Sequence, residues 1–194
     1  RRNRGSGAEH GRGRGGMWKG ENGCPEVGNL PWICQNYWRQ CRYAGDDARL
    51  REKFFPLLKR AMNFYLTIME READGTFHLP CTYSPELTFA ADCNYDLASF
   101  RWGLETLIAT DERLGLGDPA LPRWKETLAH LTPFPADTNG FMVGRDKPFM
   151  KLHRHYSHLL MIHPYYTVNG DQPESRDLIA KSVAHWARST GAFA

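Results

Sequence analysis

No stretch of the 194-residue chain approaches the roughly 20 consecutive apolar residues that a membrane-crossing helix needs, so a helical membrane span is excluded. The basic start is not followed by an apolar segment, and a secretory leader is not expected there. Cysteine is scarce and irregular. Cys24, Cys34, Cys41, Cys81 and Cys93 are odd in number and contain no Cys-x-x-Cys pair, which argues against a zinc ribbon or a disulfide framework and for buried structural thiols. Cys34 and Cys41, seven residues apart, fall on one helix face. The Gly11–Gly16 run opens no strand–turn–helix unit, so a phosphate-cradling loop is missing. Local signatures of Ser/His/Asp or Cys/His nucleophilic catalysis are missing too.

Nor is there a real excess of charge. The chain carries +3, but residues 1–16 (RRNRGSGAEHGRGRGG) hold five Arg against one Glu; subtracting that +4 leaves −1 for the other 178 residues. The body therefore offers no nucleic-acid footprint. The tail alone could meet a polyanion, or it is a linker or sequence upstream of a start at Met17. The 12% aromatic content is too high for a disordered chain. The expected division is a disordered Arg/Gly tail over 1–16 and one domain over 17–194.

Hydrophobic spacing predicts mostly helices. Residues 17–29 read as a loop and Pro31 to Tyr43 as a helix ended by Ala44-Gly45, with Asp46-Asp47 capping the next segment. A short turn is expected over 48–53, then a helix with Pro56 at its first position and an apolar stripe through Leu58, Met62 and Tyr65. Asp74-Gly75 marks a turn, Phe77 to Cys81 an extended segment and 82–94 a loop. Further helices are expected over 95–114, 122–131, 155–162 and 173–189, with an irregular, hairpin-bearing stretch over 134–150. Trp18, Trp102, Trp124 and Trp186 are expected to serve packing. Helix pairs joined by long polar and aromatic loops suit an all-α toroid or solenoid better than a compact bundle.

Three segments carry candidate chemistry. Glu86 follows Ser84-Pro85 in a loop flanked by Tyr83, Leu87 and Phe89, with Asp92 and Asp96 nearby. A carboxyl beside apolar surface favours its protonated form, as a general acid requires, and paired carboxylates are the usual equipment for glycosidic hydrolysis. The spacing alone equally suits a capping or surface-paired residue. His153-Arg154-His155-Tyr156-Ser157-His158 allows three readings: a metal site, which lacks an acidic residue or Cys within the cluster; a sugar-binding group with Tyr156 stacked on a ring; or a helix start. Trp32 to Trp38 is either a core stripe or the lining of a pocket.

Taken together, these segments resemble the catalytic domain of glycoside hydrolase family 95, the inverting α-L-fucosidase family, over most of residues 27–190. The resemblance rests on Trp32, Gln35, Trp38 and Tyr43-x-Gly45-Asp46; on Leu50-Arg51-Glu52 with Phe55-Pro56-Leu57-Leu58-Lys59; on Ser84-Pro85-Glu86; and on His153-Arg154-His155-x-Ser157-His158-Leu159. It implies part of an (α/α)₆ barrel with short irregular β segments in its loops. It implies Glu86 as general acid in the inverting cleavage of a terminal α-linked sugar, with L-fucose expected. Trp32, Arg154 and His155 would be substrate-binding residues. A glycan is the implied partner, with neither cofactor nor metal. The family's Asn after Ser-Pro-Glu is Leu87 here. Its water-positioning Asn-x-Asn and Asp-Gly-Asn segments are expected outside these residues, so a central piece of the barrel is expected. The alternative is a non-catalytic carbohydrate-binding or interaction module of helical-repeat type.

Overall fold

The computed structural model describes residues 23–150 and 153–190. The Arg/Gly tail over 1–16 and Trp18 lie outside them. The chain is mostly helical, with helices α1 (Asn29–Ala44), α2 (Asp47–Arg49), α3 (Phe55–Ile68), α4 (Asn94–Leu114), α5 (Leu121–His130) and α6 (Arg176–Thr190). Among the described residues, three two-stranded antiparallel ribbons lie in the connections: β1 (Glu70–Arg71) with β2 (Phe77–His78), β3 (Thr82–Ser84) with β4 (Thr88–Ala90), and β5 (Ala136–Asp137) with β6 (Gly140–Phe141). No described helix is long and apolar enough to cross a membrane.

The termini form as their sequences dictate. Gly45 takes the left-handed conformation (φ 63°) that closes α1, and the Asp46 side chain accepts the Arg49 N–H to start α2. The turn expected over 48–53 is instead helical. Leu50 to Phe54 is a π-helical stretch that runs straight into α3, with Pro56 in the first turn of the α-helix. The reason lies in Pro56, which has no N–H to offer Glu52 and whose ring would crowd that carbonyl; the wider π turn before it removes the conflict.

Helix α4 is the central post, buried over most of its length, and α3 and α5 pack on it. Tyr65 of α3 stacks on Phe100 with centroids 4.9 Å apart. Gly103 lets the helices close, since a Cβ there would lie 2.1 Å from Met62 Sδ. Trp102 stacks on Tyr165, and Trp124 is wholly buried edge-on to Phe55. Trp186 is partly buried against the same core. Ser182 of α6 accepts the Phe141 N–H through its hydroxyl, tying the last helix to the β6 ribbon.

Two further expectations are corrected. Residues 155–162 do not form a helix; only Ser157–Leu159 makes a 3₁₀ turn. Ser157 is bonded to the β3–β4 ribbon, and the buried run through Met161 follows the core surface rather than its own periodicity. Nor are all five cysteines thiols: Cys24 and Cys81 form a disulfide across 57 residues, with Cα atoms 5.6 Å apart. Its partners sit in loops, where periodicity is silent, and the odd count hid one pair among three buried free thiols.

Two buried titratable groups oppose each other. Burial pushes the Asp96 carboxyl up to about 7, against the Tyr65 hydroxyl that donates to it at 2.8 Å. Burial, with His185 nearby, brings His158 down to about 3. Asp96 therefore favours folding fully below its ordinary 3.8 and loses that contribution as pH rises to about 7; His158 favours folding above its ordinary 6.5 and loses that contribution as pH falls toward 3. Their slopes largely cancel between pH 4 and 6.5, so the Asp96 contribution is read as a difference. Asp96→Asn should match the parent near pH 4 and exceed it in urea-melt stability by a margin that grows to pH 7 and then levels off. A pH-independent difference would contradict this.

Candidate active site

Glu86 is delivered by a strained turn. Ser84 pairs with Thr88 at the end of the β3–β4 ribbon, and the Leu87 N–H donates to the Ser84 carbonyl at 3.1 Å. Pro85 thus stands at the first corner, where its fixed φ belongs, and Glu86 at the second with φ 61°. This matches a type II turn whose second corner normally calls for glycine. A non-glycine residue in that conformation costs on the order of 1–2 kcal/mol. Here the side chain it carries is aimed into a cleft.

That cleft encloses about 510 Å³. One wall is α1, where Asn29, Trp32, Asn36 and Arg39 recur at three- and four-residue steps on a single helix face. The core-facing side of the same helix is Cys34, Gln35 and Cys41, all buried. The stripe from Trp32 to Trp38 is therefore split, with Trp32 and Asn36 lining the cleft while Gln35 packs inward and Trp38 lies edge-on to Trp102. Trp32 is 42% exposed and meets the buried Tyr95 edge-on at 6.4 Å. Tyr95 donates to the Asn29 side-chain oxygen at 3.1 Å, and burial holds its phenol far above the ordinary range, so it remains a donor. Gly28 is required beside it, because a Cβ there would stand 2.2 Å from the tyrosine ring.

The opposite side comes from residues 155–164. The buried Ser157 hydroxyl donates to the Pro85 carbonyl at 3.2 Å and meets Ser84 Oγ at 2.9 Å; with the Ser157 proton so committed, Ser84 is the donor between them. Gln35 and Arg39 both donate to the Pro164 carbonyl, at 3.0 and 3.3 Å, fixing this segment against α1. The latch brings the histidines to Glu86. His155 Nδ1 is in direct contact with Glu86 Oε2, and His153 Nε2 lies 3.4 Å from the same oxygen. Arg154 is not among the lining residues; its Nε donates to His155 Nε2 at 3.1 Å.

The structure thus brings Glu86, Trp32 and His155 into one cleft and sets Arg154 behind His155. Glu86 is about half exposed and paired with imidazoles, the surface-paired arrangement that its spacing equally suits. It also supplies the acidic residue that the histidine run lacks. Sequence reasoning includes Asn36 in the Trp32–Trp38 stripe but does not single out Asn29 and Arg39, although their helical spacing from Trp32 is the signal that could have found them. Arg39 also lies 5.7 Å from the Tyr166 ring.

Glycosyl hydrolase family 95 catalytic domain is the family whose model matches the chain, over residues 17–190. Alpha-L-fucosidase 2 of Arabidopsis thaliana is 25% identical over 175 residues, which is 82% of this chain and 20% of that protein. The chain therefore spans about a fifth of the length of this curated relative.

The strain at position 86 is measurable. Glu86→Gly and Glu86→Ala lose the same imidazole contacts but differ in Cβ, so the glycine variant should be the more stable by about 1 kcal/mol, the reverse of their order in a helix. Thermal or urea melts that rank alanine above glycine would contradict the turn geometry.

Proposed function

Because the chain belongs to the glycosyl hydrolase family 95 catalytic domains, we propose that its cleft is part of an inverting glycosidase site that takes a terminal α-linked sugar, L-fucose being the favoured candidate, within an (α/α)₆ barrel. The observation that carries this reading is a carboxyl group projected from a strained turn into a cleft with an aromatic wall and the polar side chains of Asn36, Arg39 and His155. The alpha-L-fucosidase 2 similarity supports the choice of sugar.

In this reading Trp32 presents its ring to the apolar face of the sugar, and His155, with Asn36, offers hydrogen bonds to its hydroxyls. Arg154 acts through His155, fixing the orientation of that ring. Glu86, in its carboxylic acid form, exchanges its imidazole partner for the glycosidic oxygen and donates its proton to it as the C–O bond breaks; Glu86 is left as the carboxylate and the aglycone leaves as a neutral alcohol. Inversion additionally requires a second group that activates a water on the opposite face of the sugar.

Glu86→Gln in the full-length protein should lower turnover of an α-L-fucosylated oligosaccharide by roughly 100- to 10,000-fold with the substrate affinity kept. NMR of the first-formed sugar should show the β anomer. Turnover unaffected by the substitution would overturn the acid assignment. An initial α anomer would overturn inversion, and saturable sugar binding without released product would point to a binding module.

A further inference from the structure

We propose that Glu86, His153 and His155 form a Zn²⁺ site at the mouth of the cleft. Their three ligand atoms lie within 4.8 Å of one another. Two ligands bound at 2.0–2.1 Å and separated by the tetrahedral angle stand roughly 3.4 Å apart, which is the observed spacing of Glu86 Oε2 and His153 Nε2. His155 Nδ1, in contact with the same carboxylate, has to draw back to that spacing and stand at a similar distance from His153 Nε2, a shift within the 4.8 Å that now contains all three atoms. Two imidazoles with one carboxylate suit Zn²⁺, whereas Ca²⁺ and Mg²⁺ call for all-oxygen shells. Three protein ligands leave the fourth position to water from the cleft, since Glu86 and His155 are each about half exposed.

The site is not pre-organised for metal, and that sets its strength. With Zn²⁺ on His155 Nδ1, the ring proton moves to Nε2, where the Arg154 N–H now points. With Zn²⁺ on His153 Nε2, the Nδ1 position must carry a proton and give up the bond it accepts from the His155 N–H at 3.1 Å. Arg154 also adds a fixed positive charge. Affinity therefore falls in the micromolar rather than the nanomolar range, and removing Arg154 strengthens it. Where Glu86 is the general acid, a bound cation occupies the lone pair that would hold its proton, so Zn²⁺ inhibits reversibly. That consequence rests on the proposed function; the binding itself does not.

Calorimetric titration of the chain with ZnCl₂ near neutral pH, and absorption spectra with Co²⁺ as a visible substitute, test the site. We expect one ion per chain and a visible cobalt spectrum. Affinity should fall roughly tenfold or more in His153→Ala and in Glu86→Gln, and should rise in Arg154→Gln. Circular dichroism checks that the variants keep their helices. No uptake, or uptake unchanged in a His153→Ala/His155→Ala double variant, overturns the proposal. A Glu86→Gln protein that loses the metal yet keeps full turnover would overturn the acid assignment and leave the metal site standing; the reverse pattern would overturn the metal site alone.

Discussion

Two serine hydroxyls hold the cleft together. Ser84 closes the β3–β4 ribbon and Ser157 begins the 3₁₀ turn 73 residues later; their buried contact at 2.9 Å is what sets Glu86 against the histidines. Each segment alone is under-determined. The ribbon is three residues a side, and the 153–160 stretch has no regular structure beyond one turn. Satisfied buried hydroxyls are worth about 1 kcal/mol each, but left unpaired they cost more, so the two segments are held in one relative position. The strain of Glu86 at φ 61° is tolerated for the same reason: the paired strands on both sides over-determine the turn.

The helical frame supplies the other wall. α1 has two faces from one periodicity, an inward one of Cys34, Gln35 and Cys41 and an outward one of Asn29, Trp32, Asn36 and Arg39. Gln35 and Arg39 then reach across to one carbonyl, that of Pro164, so the helix that lines the cleft also clamps the segment opposite. Beneath them, α4 starts at Asn94, whose amide donates to the carbonyls of Pro135 and Met142 and anchors the long irregular stretch to the core.

Much of this is legible in the residues, and the division has physical causes. α1, α4, α5 and α6 can be placed within a few residues because three- and four-residue spacing and terminal Gly or Pro act locally. The π-helical stretch before Pro56 is not legible, since it is a compromise between two turns rather than a preference of either. The 3₁₀ turn at Ser157 and the Cys24–Cys81 disulfide depend on contacts made across the fold, which spacing does not encode. In the site, Glu86, Trp32 and His155 can be singled out by type and motif. That Glu86 completes a cluster with His153 and His155 cannot, because 67 residues separate Glu86 from His153 and only the latch joins them.

The proposed function requires that this cleft hold a sugar against Trp32 and His155. An NMR titration of the chain with L-fucose, following the Trp32 indole N–H and the His155 ring, with the fully buried Trp124 indole as internal reference, addresses it directly. Saturable shifts are expected at Trp32 and His155 and none at Trp124. Signals of Trp32 and His155 that stay in place up to saturating sugar would contradict it.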